Sequence, residues 1–337
     1  MIVFSAREWE GRYWSRDIPN GVETAPFTSA VYLVPDDGSG PPRKVVDAGG
    51  RADAPGYSPD GKWIYFQTRT NDHYQILRCR EDGSGIENLT AAHTPAGDRY
   101  GYKISRDGSR AIFVFHDGQI GRVGIMDPDG TGPRLIAPDI GYHYMADISP
   151  DNTRVVFAHT ARGYILTLKN LESGELLVLT PGQTECFCPQ FTPDGKTIVF
   201  TRRDGDIYRV GADGSDLKRL TQANHYITFY LSPDDRHGSS DFPSLSPDGR
   251  QIAYIAMKDG LSQVHVMDMD GGNQRQITFR RTACGRATFG PDGKRIAFVS
   301  WEGAYTQLFV VPAEGGDPRK LTDVHGAACF LNWKPSP

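Results

Sequence analysis

Nine histidines are spread over the chain, and two of them, His143 and His159, stand sixteen residues apart at the ends of "HYMADISPDNTRVVFAH". A neutral imidazole titrates near working pH, so a pair brought together can take a proton from carbon or coordinate a divalent ion. Two unrelated, solvated loop histidines are the plain alternative. The choice depends on whether the segment is one long element or a strand that turns back on itself. Elsewhere there is no Gly-x-Ser-x-Gly, phosphate loop or dinucleotide fingerprint, so no nucleotide or organic cofactor is expected.

Composition narrows the classes. The chain has 337 residues, 38% of them hydrophobic and 11% aromatic, which is ordinary for a globular protein. A net charge of −4 without any long run of Lys or Arg gives no reason to expect nucleic-acid binding. No apolar stretch reaches the length of a membrane span, and the N-terminus lacks a signal-peptide pattern. A cytoplasmic protein and a mature periplasmic or secreted one would look alike, and a monomer is expected. The five cysteines, Cys79, Cys186, Cys188, Cys284 and Cys329, are odd in number and lack finger-type spacing, so free thiols are expected.

Self-comparison decides the architecture. "YSPDGKWIYFQT" recurs as "ISRDGSRAIFVF", "ISPDNTRVVFAH", "FTPDGKTIVFTR", "LSPDGRQIAYIA" and "FGPDGKRIAFVS". Alignment on Asp60, Asp107, Asp151, Asp194, Asp248 and Asp292 gives spacings of 47, 44, 43, 54 and 44. Each copy continues as strand, tight turn and strand, as in "QVHVMDMDGGNQRQIT". Pro, Asp and Gly suit the turns, and the period-two β-branched and aromatic runs suit strands. Four strands per unit is a propeller blade. Six copies are visible, and the termini supply a seventh: residues 328–337 give its inner strand and residues 1–46 the other three. The expectation is an all-β, single-domain, seven-bladed propeller over 1–337, closed by pairing of N-terminal strands with the C-terminal one. Two insertions interrupt the repeat, 7–29 and 222–242.

The repeat "SPDGK-x-I-x-F", followed by "QVHVMDMDGGNQRQIT", resembles the TolB-type or PD40 propeller repeat, which is WD40-like, over essentially the whole chain. The scaffold hosts periplasmic interaction proteins, peptidase-gating domains and polysaccharide lyases, so the resemblance specifies fold rather than activity. No hydrolase domain follows in this sequence, so peptidase gating is not expected.

In such a blade the Pro-Asp-Gly turn joins innermost strand A to strand B, and Asp-Gly joins C to D. Both lie on one face of the disc, while the B-to-C and D-to-A connections lie on the other. A hairpin then folds His143 and His159 back together near the axis on the second face. The same bookkeeping sends His73, His93, His116, His225, His237 and His325 there, leaving only His265 within a strand. Loop-borne, chemically mixed residues on one rim of a rigid scaffold form a binding site.

Two functions fit. The first is a carbohydrate-active lyase that cleaves uronic-acid-containing saccharides by β-elimination, similar to single-domain propeller polysaccharide lyases with His, Arg and Tyr sites. Here His143 and His159 would serve as base or neutraliser, Arg202 as carboxylate clamp and Tyr230 as acid. Trp9, Arg69, His116, Tyr144, Tyr226, His237, Arg286, Trp301 and His325 would bind the acidic saccharide. His143, His159 and His325 are candidate ligands for a divalent ion (Mn, Ca or Zn). The second is a non-catalytic TolB-like platform holding a protein or peptide partner at the axial mouth. Bland readings stand beside these. Trp9 and the Tyr226 cluster could simply anchor their loops. Asp53 and Asp241, in Asp-x-Pro units, would cap backbone amides at blade junctions. The cysteines near A-strand starts would pack around a narrow channel.

Overall fold

Five of the six full repeats open on a hairpin closed by the same local bonds. The Ser58 hydroxyl donates to Asp60 Oδ1 at 2.6 Å and accepts from the Trp63 amide at 3.0 Å. Ser105 with Asp107, Thr192 with Asp194 and Ser246 with Asp248 repeat the donation at 2.6–2.7 Å. The Asp-Gly turn between C and D needs glycine for a second reason. Gly130 sits at φ +90°, and a Cβ there would lie 2.2 Å from the Leu89 carbonyl oxygen of the preceding blade. The turn is thus also a blade-to-blade contact, which only the smallest residue allows.

The protein is a seven-bladed β-propeller of four-stranded antiparallel sheets. The computed structural model describes residues 1–9, 27–70, 73–93, 95–137, 143–159, 163–183, 185–222, 243–303 and 305–336, and among them it contains strands and no helix. Blades 1 to 6 occupy residues 53–88, 98–135, 143–178, 186–219, 244–276 and 284–320. Blade 7 is ordered Ala327–Trp333, Ile2–Trp9, Phe27–Val34, Arg43–Val46, so the two termini close the ring as expected. Strand pairing runs to Trp9 and resumes at Phe27, so the first insertion is shorter than the 7–29 expected.

The core lies between blades. Ile112 and Val123 of blade 2 pack on Val155 and Phe157 of blade 3, whose opposite face places Val156 and Leu166 against Phe200 and Tyr208 of blade 4. Both faces of each sheet are therefore buried, which explains the continuous apolar runs in B and C strands. No helix among the described residues is long and apolar enough to cross a membrane.

Candidate functional site at the axial mouth

The inner strands carry a device that recurs around the ring. Pairing of A with B slips by one residue in blades 1, 2, 3, 4, 6 and 7, each time because the A strand holds one extra residue. The bulged positions are Ala54, Gly101, Met145, Cys188, Arg286 and Phe330, all left-handed, with φ between 45° and 60°. Each lies four residues before the Ser/Thr position of the Pro-Asp-Gly turn; the equivalent in blade 5, Phe242, lies outside the described residues. A left-handed non-glycine residue costs about 1–2 kcal/mol, so five such residues at one structural position are a consistent requirement of the ring. Bulges bend a strand and re-aim its side chains.

Those side chains meet across blade boundaries. Cys188 Sγ lies 3.1 Å from Met145 Sδ, and the Arg286 guanidinium stacks 4.9 Å from the centre of the Phe330 ring. The bulged residues thus form a collar around the axis. Two residues further along each A strand comes a second, polar tier: Gly56, Lys103, Asp147, Gln190, Ser244, Thr288 and Asn332. Lys103 Nζ reaches Asp147 Oδ1 at 2.6 Å, and Asp147 Oδ2 accepts from the Phe191 amide at 2.8 Å. Gln190 Nε2 donates to the Pro243 carbonyl at 2.7 Å, and Ser244 Oγ accepts from the Phe289 amide at 3.0 Å. This tier stitches the inner strands together with hydrogen bonds, while the collar above it offers aromatic, thioether and guanidinium surface.

At the loop-rich end of the collar, Arg7 and Asp53 join blade 7 to blade 1. Arg7 Nε donates to Asp53 Oδ2 at 3.0 Å, Arg7 Nη2 also reaches Asp53 Oδ2, and both side chains are 6% exposed. The Arg7 guanidinium lies 4.7 Å from the centre of the Phe330 ring that Arg286 also covers. Asp53 does sit at a blade junction, but it accepts from Arg7 rather than capping amides as expected. Its companion Asp241 lies outside the described residues.

The histidine pair is adjacent in backbone terms. His143 and His159 are direct cross-strand partners in the A–B hairpin of blade 3. The His159 ring is turned into the blade, 6% exposed, with Nε2 at 2.9 Å from Thr167 Oγ1. The side chains of His143, Tyr144 and Trp9, and the whole of Tyr226, Tyr230 and His237, lie outside the described residues. Arg202 lies over the Tyr208 ring at 5.2 Å, donates to its hydroxyl at 3.3 Å and sits 3.6 Å from Asp204. His116 Nδ1 accepts from the Gly118 amide at 3.0 Å and so caps its own turn. Trp301 is buried in the core between blades 6 and 7. Arg69 is exposed at the end of its B strand. His325 is exposed, with Nδ1 at 2.8 Å from Glu8 Oε1 and Nε2 at 3.4 Å from the Tyr305 hydroxyl.

The described candidates come from different blades, and the contacts given above for His159, Arg202, His116 and His325 are to residues of their own or the adjoining blade. Among the described residues, no three His, Cys, Asp or Glu side chains are grouped to hold a metal ion. All five thiols are free. Burial pushes Cys186 and Cys284 up to about 11 and Cys329 up to about 12, so none of these three is a ready nucleophile. Cys186 and Cys284 also point into inter-blade cores rather than the channel, whereas Cys188 belongs to the collar. Sequence reasoning missed both tiers. The polar tier had a signal in the repeat alignment, two residues before each turn, whereas the collar position, four residues before it, mixes residue types and had none.

A closed ring of seven four-stranded sheets around a tiered axial mouth defines a β-propeller. Residues 234–335 match the TolB beta propeller domain, PD40. An uncharacterised protein of Agrobacterium fabrum (strain C58) is 37% identical over 236 residues, covering 66% of this chain and 74% of its own length. The chain belongs to the TolB β-propeller family. Dipeptidyl-peptidase 5 of Porphyromonas endodontalis is 28% identical over 242 residues, 68% of this chain but only 33% of that enzyme, so the chain spans about a third of it. Among solved structures, TolB from Acinetobacter baumannii superposes with a TM-score of 0.57 at 16% identity, covering 92% of this chain and 80% of that one. An oligogalacturonate lyase in complex with manganese gives 0.63 at 15% identity, covering 88% and 81%. At these identities the two structures establish the shared fold alone.

Proposed function

We propose that this protein is a TolB-like binding propeller that holds an extended segment of a protein partner at its axial mouth, without turnover. The observation that carries this reading is the collar: six described inner strands each accept a left-handed bulge that sets side chains around the axis. The bulges re-aim the inner-strand side chains, and they bring Met145 to Cys188 and Arg286 to Phe330 around the axis. Arg286 and Phe330 supply a guanidinium on an aromatic face, a pairing suited to a peptide's carboxylates and apolar side chains.

The lyase reading ranks second. Its support is the fold shared with the manganese-bound lyase, and the described members of its proposed site, His159 and Arg202, already bond within their own blades. The two readings separate in one experiment. Acidic glycans are incubated with the protein, with and without chelator, and absorbance of the unsaturated uronate product is followed. No increase is expected on any glycan. An increase that disappears in His159→Ala would replace the binding reading with the lyase one.

A further inference from the structure

The outer strand of every propeller blade leaves one edge of backbone N–H and C=O groups open, and charged side chains normally keep such edges from joining others. Six outer strands follow the rule, with Arg43 and Lys44, Glu87, Arg134, Lys218 and Arg219, Arg275, or Arg319 and Lys320. The outer strand of blade 3, Leu176–Val178, is Leu-Leu-Val. Its three side chains are 43, 36 and 42% exposed. Leu177 Cδ2 lies 4.0 Å from the Cβ position of Gly214, in the blade 4 turn that also carries exposed Leu217. Three of the seven exposed large hydrophobics among the described residues therefore lie on this one strand and a fourth, Leu217, on the turn that Leu177 touches, so chance scatter does not account for them.

A contact within the ring explains only part of this. Elsewhere an outer-strand cation clasps the next blade, as Arg43 does with the Glu81 carbonyl and Lys218 with that of Asp270. Leu177 makes an apolar version of that clasp. Successive side chains of a strand point to opposite faces, so Leu176 and Val178 face away from it.

The backbone specifies what the edge can accept. The Leu179 amide donates to the Leu166 carbonyl, and the Asn170 amide donates to the Glu175 carbonyl, so odd-numbered residues bond inward to the C strand Ile165–Asn170. Leu176 and Val178 consequently present their N–H and C=O outward. We propose that this edge pairs, antiparallel and two-fold related, with the same edge of a second copy of the chain. One register alone uses both outward residues of each strand: Leu176 opposite Val178 of the partner subunit, and Leu177 opposite the partner subunit's Leu177. In it Glu175 falls opposite Leu179 of the partner subunit, so the acidic flanks never face each other. An isologous contact of this kind closes at two copies. The strand and Leu217 cover far less than the roughly 800 Å² per partner of a stable interface. The dimer is therefore transient.

Sedimentation equilibrium on the full chain, up to roughly 1 mM, tests this. The weight-average mass should climb toward the dimer, and Leu176→Lys or Val178→Lys should each weaken association at least tenfold. Arg134→Glu, on the outer strand of blade 2, should leave it unchanged. Amide exchange in the wild-type chain gives a readout independent of the variants: Leu176 and Val178 should slow with concentration and Leu177 should not. A monomer throughout the range, association undiminished in folded Leu176→Lys, or protection absent from those two amides would each overturn the proposal.

Discussion

Arg7 and Asp53 form a buried ion pair across the seam between the blade built from both termini and the first blade of the ring. Breaking such a pair from one side strands the other charge in the interior, which costs about 3–5 kcal/mol. Asp53→Asn is expected to lower the unfolding free energy by that order in urea. The double replacement Arg7→Met with Asp53→Leu should recover most of it, because well-packed apolar side chains of similar size replace a buried pair at little cost. Equal losses in the single and double variants would show that geometry, not charge, holds the seam.

The collar makes a prediction about backbone strain. Ala54 stands at φ +47°, so Ala54→Gly relieves a left-handed methyl-bearing residue and should stabilise the fold by up to about 1 kcal/mol. Gly101 stands at φ +60° with its nearest neighbour, Val114 Cγ2, 3.8 Å from a Cβ position, so Gly101→Ala should cost about 1 kcal/mol from strain alone. Thermal denaturation of both variants checks the pair of signs.

The C–D turns predict a contrast between two glycines of similar conformation. Gly130→Ala would press a Cβ to 2.2 Å from the Leu89 carbonyl, whereas Gly174→Ala, at φ +77°, meets nothing within 4 Å. The first should cost several kcal/mol, beyond the roughly 1 kcal/mol of strain expected of the second. Denaturant midpoints of the two variants measure the difference.

Acid should unfold the ring through its repeat turns. Hydroxyl donation from Ser58, Thr192 and Ser246 holds Asp60, Asp194 and Asp248 below the usual carboxylate range, and the Ser109 amide does the same for Asp107. A depressed folded pKa gives stability that is present above the unfolded value and lost as pH falls through the folded one. Stability should therefore be level above about pH 5 and decline below about pH 4, the ordinary aspartate range. Replacing Ser58 and Ser246 by Ala should flatten that decline in a pH series of thermal melts.

The fold was legible because the turn chemistry is written out six times and each flanking run alternates with period two. Ring closure was legible because "FLNWKPSP" and "MIVFSA" complete a seventh copy. Side-chain direction was not. His143 and His159 do become cross-strand partners, yet His159 turns toward Thr167, and Trp301 enters the core; a B-to-C position says which end of the disc a residue occupies, not where its side chain points. The collar escaped notice because a bulge is one extra residue in one strand, invisible to a period-two reading. Arg286 was chosen for its charge, but it acts from a left-handed position beside Phe330 that no pattern of residue types revealed.

The central claim is that the collar end of the axis receives a partner. Position-resolved photo-crosslinking tests it most directly, with a photoreactive residue at Phe330 in the collar or at Lys196, exposed in the A–B turn of blade 4 on the opposite face. The account predicts a discrete protein adduct from position 330 that is lost in Arg286→Glu, and none from position 196. Adducts from position 196 alone, or from neither position, would contradict it.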